Sequence, residues 1–165
     1  GTAGQADYTP RKKPAVKSED LDKTQLDYQK LQDHFLAMML MQPKTRKLLK
    51  NMKPEYFSEA PAVTVLEFLQ KNPDFKGQPH TAQQLQSVAD YVKIIGLQFE
   101  ELYQDLPVED LTLQAAQLKH RLVERYITIE KTKLAEQMQA TDDEKKLQKL
   151  MHSIDKLNSL IREVD

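Results

Sequence analysis

Apolar residues fall on one face of a helix along most of this chain. Between residues 21 and 41, Leu21, Tyr28, Leu31, Phe35, Met38 and Met39 recur at helical spacing, and Leu36 and Leu40 widen the stripe. This predicts a first amphipathic helix, ended by Pro43, which lacks an amide proton and disfavours helical backbone at Gln42. Pro43 also suits the first turn of a new helix, so residues 43–51 read as a second, short helix carrying Leu48 and Leu49. Pro54 opens a turn expected to drop Tyr56 and Phe57 into the core, and Val63, Leu66, Phe68 and Leu69 mark a third helix over residues 59–71. Asn72, Pro73, Gly77 and Pro79 make a loop. Thr81 is the expected N-cap of a further helix through Leu85, Val88, Tyr91, Val92 and Ile95. Gly96 is expected to break it before Leu97, Phe99, Leu102 and Tyr103.

The second half has a different pattern. No breaker occurs from Pro107 to Met138, which predicts one helix roughly 45 Å long. Its apolar residues change face: Leu111, Ala115, Leu118, Leu122, Tyr126 and Ile129 make one stripe, and Val123, Ile127, Leu134 and Met138 another. The first half of this helix is expected to pack on the bundle and the second half on the last helix. Thr141 and Glu144 have capping-box spacing. Leu147, Leu150, Ile154, Leu157, Ile161 and Val164 then alternate in steps of three and four, a heptad seam. Met151 and Leu160 lie beside that seam and exceed what two helices need. The resulting hairpin is expected to be marginal alone, mobile relative to the bundle, and able to offer apolar surface to a partner.

The chain of 165 residues therefore reads as all-α: a linker or cloning remnant over residues 1–20, a multi-helix bundle over residues 21–106, and a long connecting helix with a C-terminal helical hairpin over residues 107–165. The opening GTAGQADYTP, without an initiator Met, reads as the start of a piece of a longer protein. Abundant helix formers and only four glycines support the helical reading. A formal charge of −1 gives no global field favouring DNA or an anionic membrane. The absence of cysteine removes disulfides, thiol catalysis and cysteine-ligated zinc, and fits a cytoplasmic protein. No apolar run is long enough to span a bilayer.

Few residues carry candidate chemistry. His34, His80, His120 and His152 have no metal-ligand spacing. The acidic pairs Glu100–Glu101, Glu109–Asp110 and Asp142–Asp143 sit at helix ends or on solvent faces, where neighbours do not converge. No glycine-rich phosphate loop or nucleophile elbow occurs. No catalytic residue, metal or cofactor is expected. The run Lys44, Arg46, Lys47, Lys50 and Lys53, interleaved with Leu48, Leu49 and Met52, reads as one amphipathic helix face. It is the candidate for nucleic-acid contact, although no aromatic residue lies among the charges to stack on bases.

A helix ending HFLAMMLMQP, then KTRKLLKNM, then PEYF resembles the helical module shared by bacterial DNA primase (DnaG), at its C-terminus, and the replicative helicase, at its N-terminus. The matching positions are Pro43, Pro54, Glu55 and Phe57. The long helix leading into a terminal hairpin, from Leu118 to Asp165, resembles the primase arrangement. This resemblance implies a non-catalytic domain that tethers primase to the N-terminal domains of the hexameric, DnaB-type replicative helicase and modulates helicase and priming activity. A monomer is expected when the domain is alone; the basic run offers a weak DNA contact through Lys44, Arg46, Lys47 and Lys50, and no membrane partner is expected. The hairpin would carry the partner contacts, at Lys149, Ser153, Lys156, Leu160, Arg162, Glu163 and Val164. The alternatives are the helicase's own N-terminal domain, an unrelated adaptor pairing through the terminal heptads, and a helical enzyme, which would need polar side chains converging in a pocket.

Overall fold

A computed structural model describes the backbone of residues 18–164 and side chains from residue 23 onward. The expected linker up to residue 17 and the side chain of Leu21 lie outside the described residues. The fold is all-α. Among the described residues five α-helices run α1 (Ser18–Met41), α2 (Ala60–Lys71), α3 (Ala89–Leu102), α4 (Val108–Gln139) and α5 (Glu144–Val164), with 3₁₀ segments at Pro43–Leu49, Pro54–Tyr56, Pro79–Thr81 and Gln83–Val88.

The second half of α1 is the centre of the core. Phe35 to Leu40 are all buried, so the helix is surrounded rather than amphipathic there. α2, α3, α4 and the first 3₁₀ segment pack around it. Met38, Met39, Leu66, Leu69, Leu85, Ile95, Leu111 and Leu122 fill the space between them. The expected boundary at residue 107 does not divide this core: Leu111, Ala115, Leu122, Val123 and Ile127 of α4 belong to the same buried cluster as α1.

Pro43 ends α1 as expected, but the following segment is a 3₁₀ helix rather than an α-helix. The Gln42 side chain accepts from the Lys44 amide, and Thr45 Oγ1 donates to the carbonyls of Met38 and Gln42. These short local bonds compete with α-helical pairing. Asn51, with φ 65°, closes the segment in the left-handed region that asparagine tolerates. The Pro54 turn buries Tyr56 and Phe57. The carboxamide of Gln32 then bonds Ser58 twice, through its backbone amide at 2.8 Å and its hydroxyl at 2.9 Å.

Three local expectations are corrected. Thr81 is no N-cap, because its hydroxyl donates to the Gln78 carbonyl inside a 3₁₀ turn, and residues 83–88 are also 3₁₀. Gly96 does not interrupt α3; it faces Met41, whose Sδ lies 3.9 Å from where a Cβ would stand. The last helix is capped by Asp143, whose carboxylate accepts from the Lys145 amide, while Thr141 accepts from Asp143 N one turn earlier.

Two tyrosines make a sharp pair of expectations. The Tyr28 hydroxyl donates to the Tyr56 carbonyl in the core. The Tyr56 hydroxyl is itself buried with no hydrogen-bond partner among the described residues, and burial pushes its pKa up to about 12. Removing a bonded hydroxyl strands its acceptor, whereas removing an unpaired one relieves a desolvation cost. Tyr28→Phe should therefore lower the unfolding free energy by about 1–2 kcal/mol, and Tyr56→Phe should raise it by up to about 1 kcal/mol. Urea titrations of the two variants check the opposite signs.

Candidate partner surfaces: the terminal hairpin and the basic faces

The outer part of α4 and all of α5 form an antiparallel hairpin. Its seam holds Leu134 and Met138 of α4 against Leu147, Leu150, Ile154 and Leu157 of α5, each buried or half-buried. The Lys131 ammonium donates to Asn158 Oδ1 across the seam. Leu150 is only 8% exposed, yet it lies outside the main core cluster. The outer hairpin therefore has its own small core.

The end of α5 is placed differently. Leu157, Leu160, Ile161 and Val164 pack against the main core. Leu160 and Leu157 lie in a groove with Tyr126, Leu134, Glu55 and Lys53. Asn51 Nδ2 donates to the Glu163 carbonyl at 2.9 Å, and Lys53 pairs with the Glu163 carboxylate at 3.5 Å. The hairpin thus leaves the bundle along α4 and returns to it at its last two turns. This corrects the expectation of a hairpin mobile as a whole: its far end stands alone, and its C-terminal end is fastened to the turn around residues 51–53.

The seven expected contact residues divide accordingly. Leu160 and Val164 are half-buried and turned toward the core, and Glu163 holds Lys53. Lys149, Lys156 and Arg162 are exposed, and Ser153 is half-buried with its hydroxyl bonded to the Lys149 carbonyl. Met151, 56% exposed, adds an apolar side chain to the outer surface of α5. Beside it, Lys145, Gln148, Lys149, His152 and Ser153 line a shallow hollow.

The basic run does not form one face. Lys44, Lys47 and Lys50 are exposed, but Arg46 is only 5% exposed and turned inward. Its guanidinium donates to the carbonyls of Met39 at 2.7 Å, Leu40 at 2.9 Å and Pro73 at 3.2 Å, and to that of Phe75. Burial draws its pKa below the ordinary value, and Asp74 opposes that shift. Arg46 is a structural residue, which removes it from any nucleic-acid surface at this place. Sequence spacing missed this because a 3₁₀ segment turns residue 46 to a different side than an α-helix would. Lys119, unremarked in the sequence, is buried on α4 and donates to the Lys50 carbonyl at 2.9 Å.

Two polar pairs join α1 to α3 and the turn after it. The Tyr91 hydroxyl donates to Asp33 Oδ1 at 2.7 Å, and His34 Nδ1 lies 2.6 Å from the Tyr103 hydroxyl. Burial lowers the His34 pKa, Lys30 lowers it further, and Asp33 partly opposes both. The unfolded chain thus binds a proton here more readily than the folded one, so stability is lost as pH falls below about 6.5. The Asp33 carboxyl is raised by burial and acts in the opposite direction, at lower pH. Melting curves from pH 7.5 to 5.5 should show Tm falling by about 2 °C, and His34→Gln should flatten that slope. An unchanged slope would remove His34 as its source.

Among the described residues, no group of three or more His, Asp or Glu side chains is placed to hold a metal ion, and no helix is long and apolar enough to cross a membrane. No protein-family model, curated protein or solved structure matches the chain.

Proposed function

We propose that this chain is a non-catalytic protein-interaction module, the helicase-binding domain of a bacterial DNA primase. In this reading the hairpin docks on the N-terminal domains of the hexameric replicative helicase, and the bundle transmits that contact to the rest of the parent enzyme. The observation that carries the reading is the hairpin itself. Its outer half buries only its own seam and leaves Lys149, Met151, His152 and Lys156 in solvent. An exposed apolar side chain rimmed by charge is the usual make-up of a small docking surface. The resemblance of residues 34–57 and 118–165 to the primase module supplies the identity of the partner.

The partner surface in this reading centres on the outer side of α5, at Lys149, Met151, Ser153 and Lys156, with Arg162 at its edge. Leu160, Glu163 and Val164 support it from beneath by fastening the helix to the bundle. Light scattering after size exclusion, with and without the replicative helicase of the same organism, tests the reading. The isolated chain should elute as a monomer and move into the helicase peak when the two are mixed. Met151→Asp combined with Lys149→Glu should weaken that association by about tenfold or more without changing the chain's own Tm. A chain that self-associates and ignores the helicase would replace this reading with the helicase-collar or coiled-coil adaptor alternative.

A further inference from the structure

Arg46 is withdrawn from the basic run at residues 44–53, and a separate set of cations gathers elsewhere on the bundle. α1 presents Asp27, Lys30, Leu31 and His34 at steps of three and four, and α4 presents Gln114, Gln117, Leu118, Arg121 and Arg125 in the same rhythm. These two faces oppose each other across an open groove. Its two adjoining hollows, of about 360 and 630 Å³, share Tyr103, Leu118 and Arg121. Leu31 is buried and Leu118 packs on the core, so they form a dry floor. Tyr103 stands at the turn after α3, fixed by its bond to His34.

The charge here departs from that of the chain. The whole protein is formally −1. The groove gathers three permanent cations, Lys30, Arg121 and Arg125, against the single carboxylate of Asp27. None of the three cations has an ion-pair partner among the described residues, whereas Lys53, Lys133 and His120 do. Unpaired arginines held over a floor of reduced dielectric attract an anion more strongly than lysines in open solvent.

We propose that the groove between α1 and α4 binds single-stranded nucleic acid, with Arg121, Arg125 and Lys30 holding phosphates and Gln114, Gln117 and Tyr103 facing sugars and bases. Arg121 and Arg125 are one helical turn apart, about 6 Å along the axis, so they can meet neighbouring phosphates of one strand. Lys30 and Arg125 lie at one end of the groove and the amides of Gln114 and Gln117 at the other, with Tyr103 and Arg121 between them in both hollows. That division matches a ligand in which charge and hydrogen-bonding bases alternate. A uniformly acidic peptide would want cations along its whole length. The groove is also concave, which suits a flexible strand better than the convex flank of a duplex. This site is separate from the outer surface of α5, so its occupancy does not depend on the helicase reading.

The test is fluorescence anisotropy with the full chain and a labelled oligodeoxythymidine of roughly 15 nucleotides, titrated at several salt concentrations. Binding should weaken with salt with a log–log slope of about −2, as three phosphate contacts on a single strand require. Arg121→Gln with Arg125→Gln should weaken binding about tenfold and flatten the slope by about 1.4, with the helical circular dichroism unchanged. If that pair unfolds the chain, Arg121→Glu alone, at an exposed position, should give a like loss. Lys44→Gln with Lys47→Gln should change nothing. The proposal is overturned if the wild-type chain leaves the oligonucleotide free at low salt, or if the arginine variants bind it as tightly. It is equally overturned if the Lys44/Lys47 variant loses as much, or if a polyglutamate peptide of matched charge binds the groove in place of the oligonucleotide.

Discussion

Arg46→Met should lower the unfolding free energy by about 4 kcal/mol or more, a loss of roughly 8–16 °C in Tm for a chain of this size. The cause lies in how α1 ends. The last carbonyls of a helix have no partner within it, and Pro43 withholds the amide that would have served Met39. The Met39 and Leu40 carbonyls therefore point at Arg46, which answers both and reaches across to Pro73 and Phe75 in the loop after α2. A buried methionine would fill the volume and leave four acceptors without donors. The charge is favourable as well, since a cation at a helix C-terminus meets the negative end of the dipole. Arg46→Lys should recover less than half of the loss, because one ammonium cannot span four carbonyls on two segments. Thermal melts of the three chains decide this; a loss below about 1 kcal/mol for methionine would mean that Arg46 is only a surface cation.

The second large effect is expected at Leu160. Sequence spacing alone places it outside the seam, where an aspartate would disturb only a partner. In the structure it is half-buried against the core, in the groove with Tyr126 and Leu134. Leu160→Asp should therefore act twice. It should cost about 2–3 kcal/mol of local stability by placing a carboxylate among apolar side chains and beside Glu55. It should also free the last two turns of α5, so that the Leu157–Val164 amides exchange with solvent at least tenfold faster. Partner affinity should then fall by over tenfold as a consequence of the undocked helix. Hydrogen exchange of the isolated chain separates the two effects. Unchanged protection at the end of α5, with affinity still lost, would return Leu160 to a direct contact.

Much of the fold was legible because helical periodicity is a local signal that survives in one dimension. The α1 stripe, the stop at Pro43, the burial of Tyr56 and Phe57 at the Pro54 turn, and the Leu147–Leu157 seam all follow from spacing and from the backbone chemistry of proline. The misreadings have local causes too. Thr45 and Gln42 bond nearby backbone, and this favours 3₁₀ geometry over the α-helix expected at residues 43–51. Asp143 outcompetes Thr141 as the cap because its carboxylate reaches the second amide of the helix. Gly96 stays helical because packing against Met41 outweighs a propensity cost of about 1 kcal/mol.

By itself the sequence determined the fold class, the number and order of the long helices, and the faces on which their apolar residues lie. It could do so because each depends on residues within a few positions of one another. Only the tertiary structure decided which polar side chains are structural and which remain free. Arg46 reads like its lysine neighbours until the ends of α1 and of the loop after α2 close around it. Lys30, Arg121 and Arg125 read as scattered charges until α1 and α4 lie side by side. The return of α5 to the bundle rests on Asn51, Lys53 and Glu163, separated by more than a hundred residues. Contacts across such separations leave no periodic trace, because they are fixed by how the helices pack and not by how each one forms.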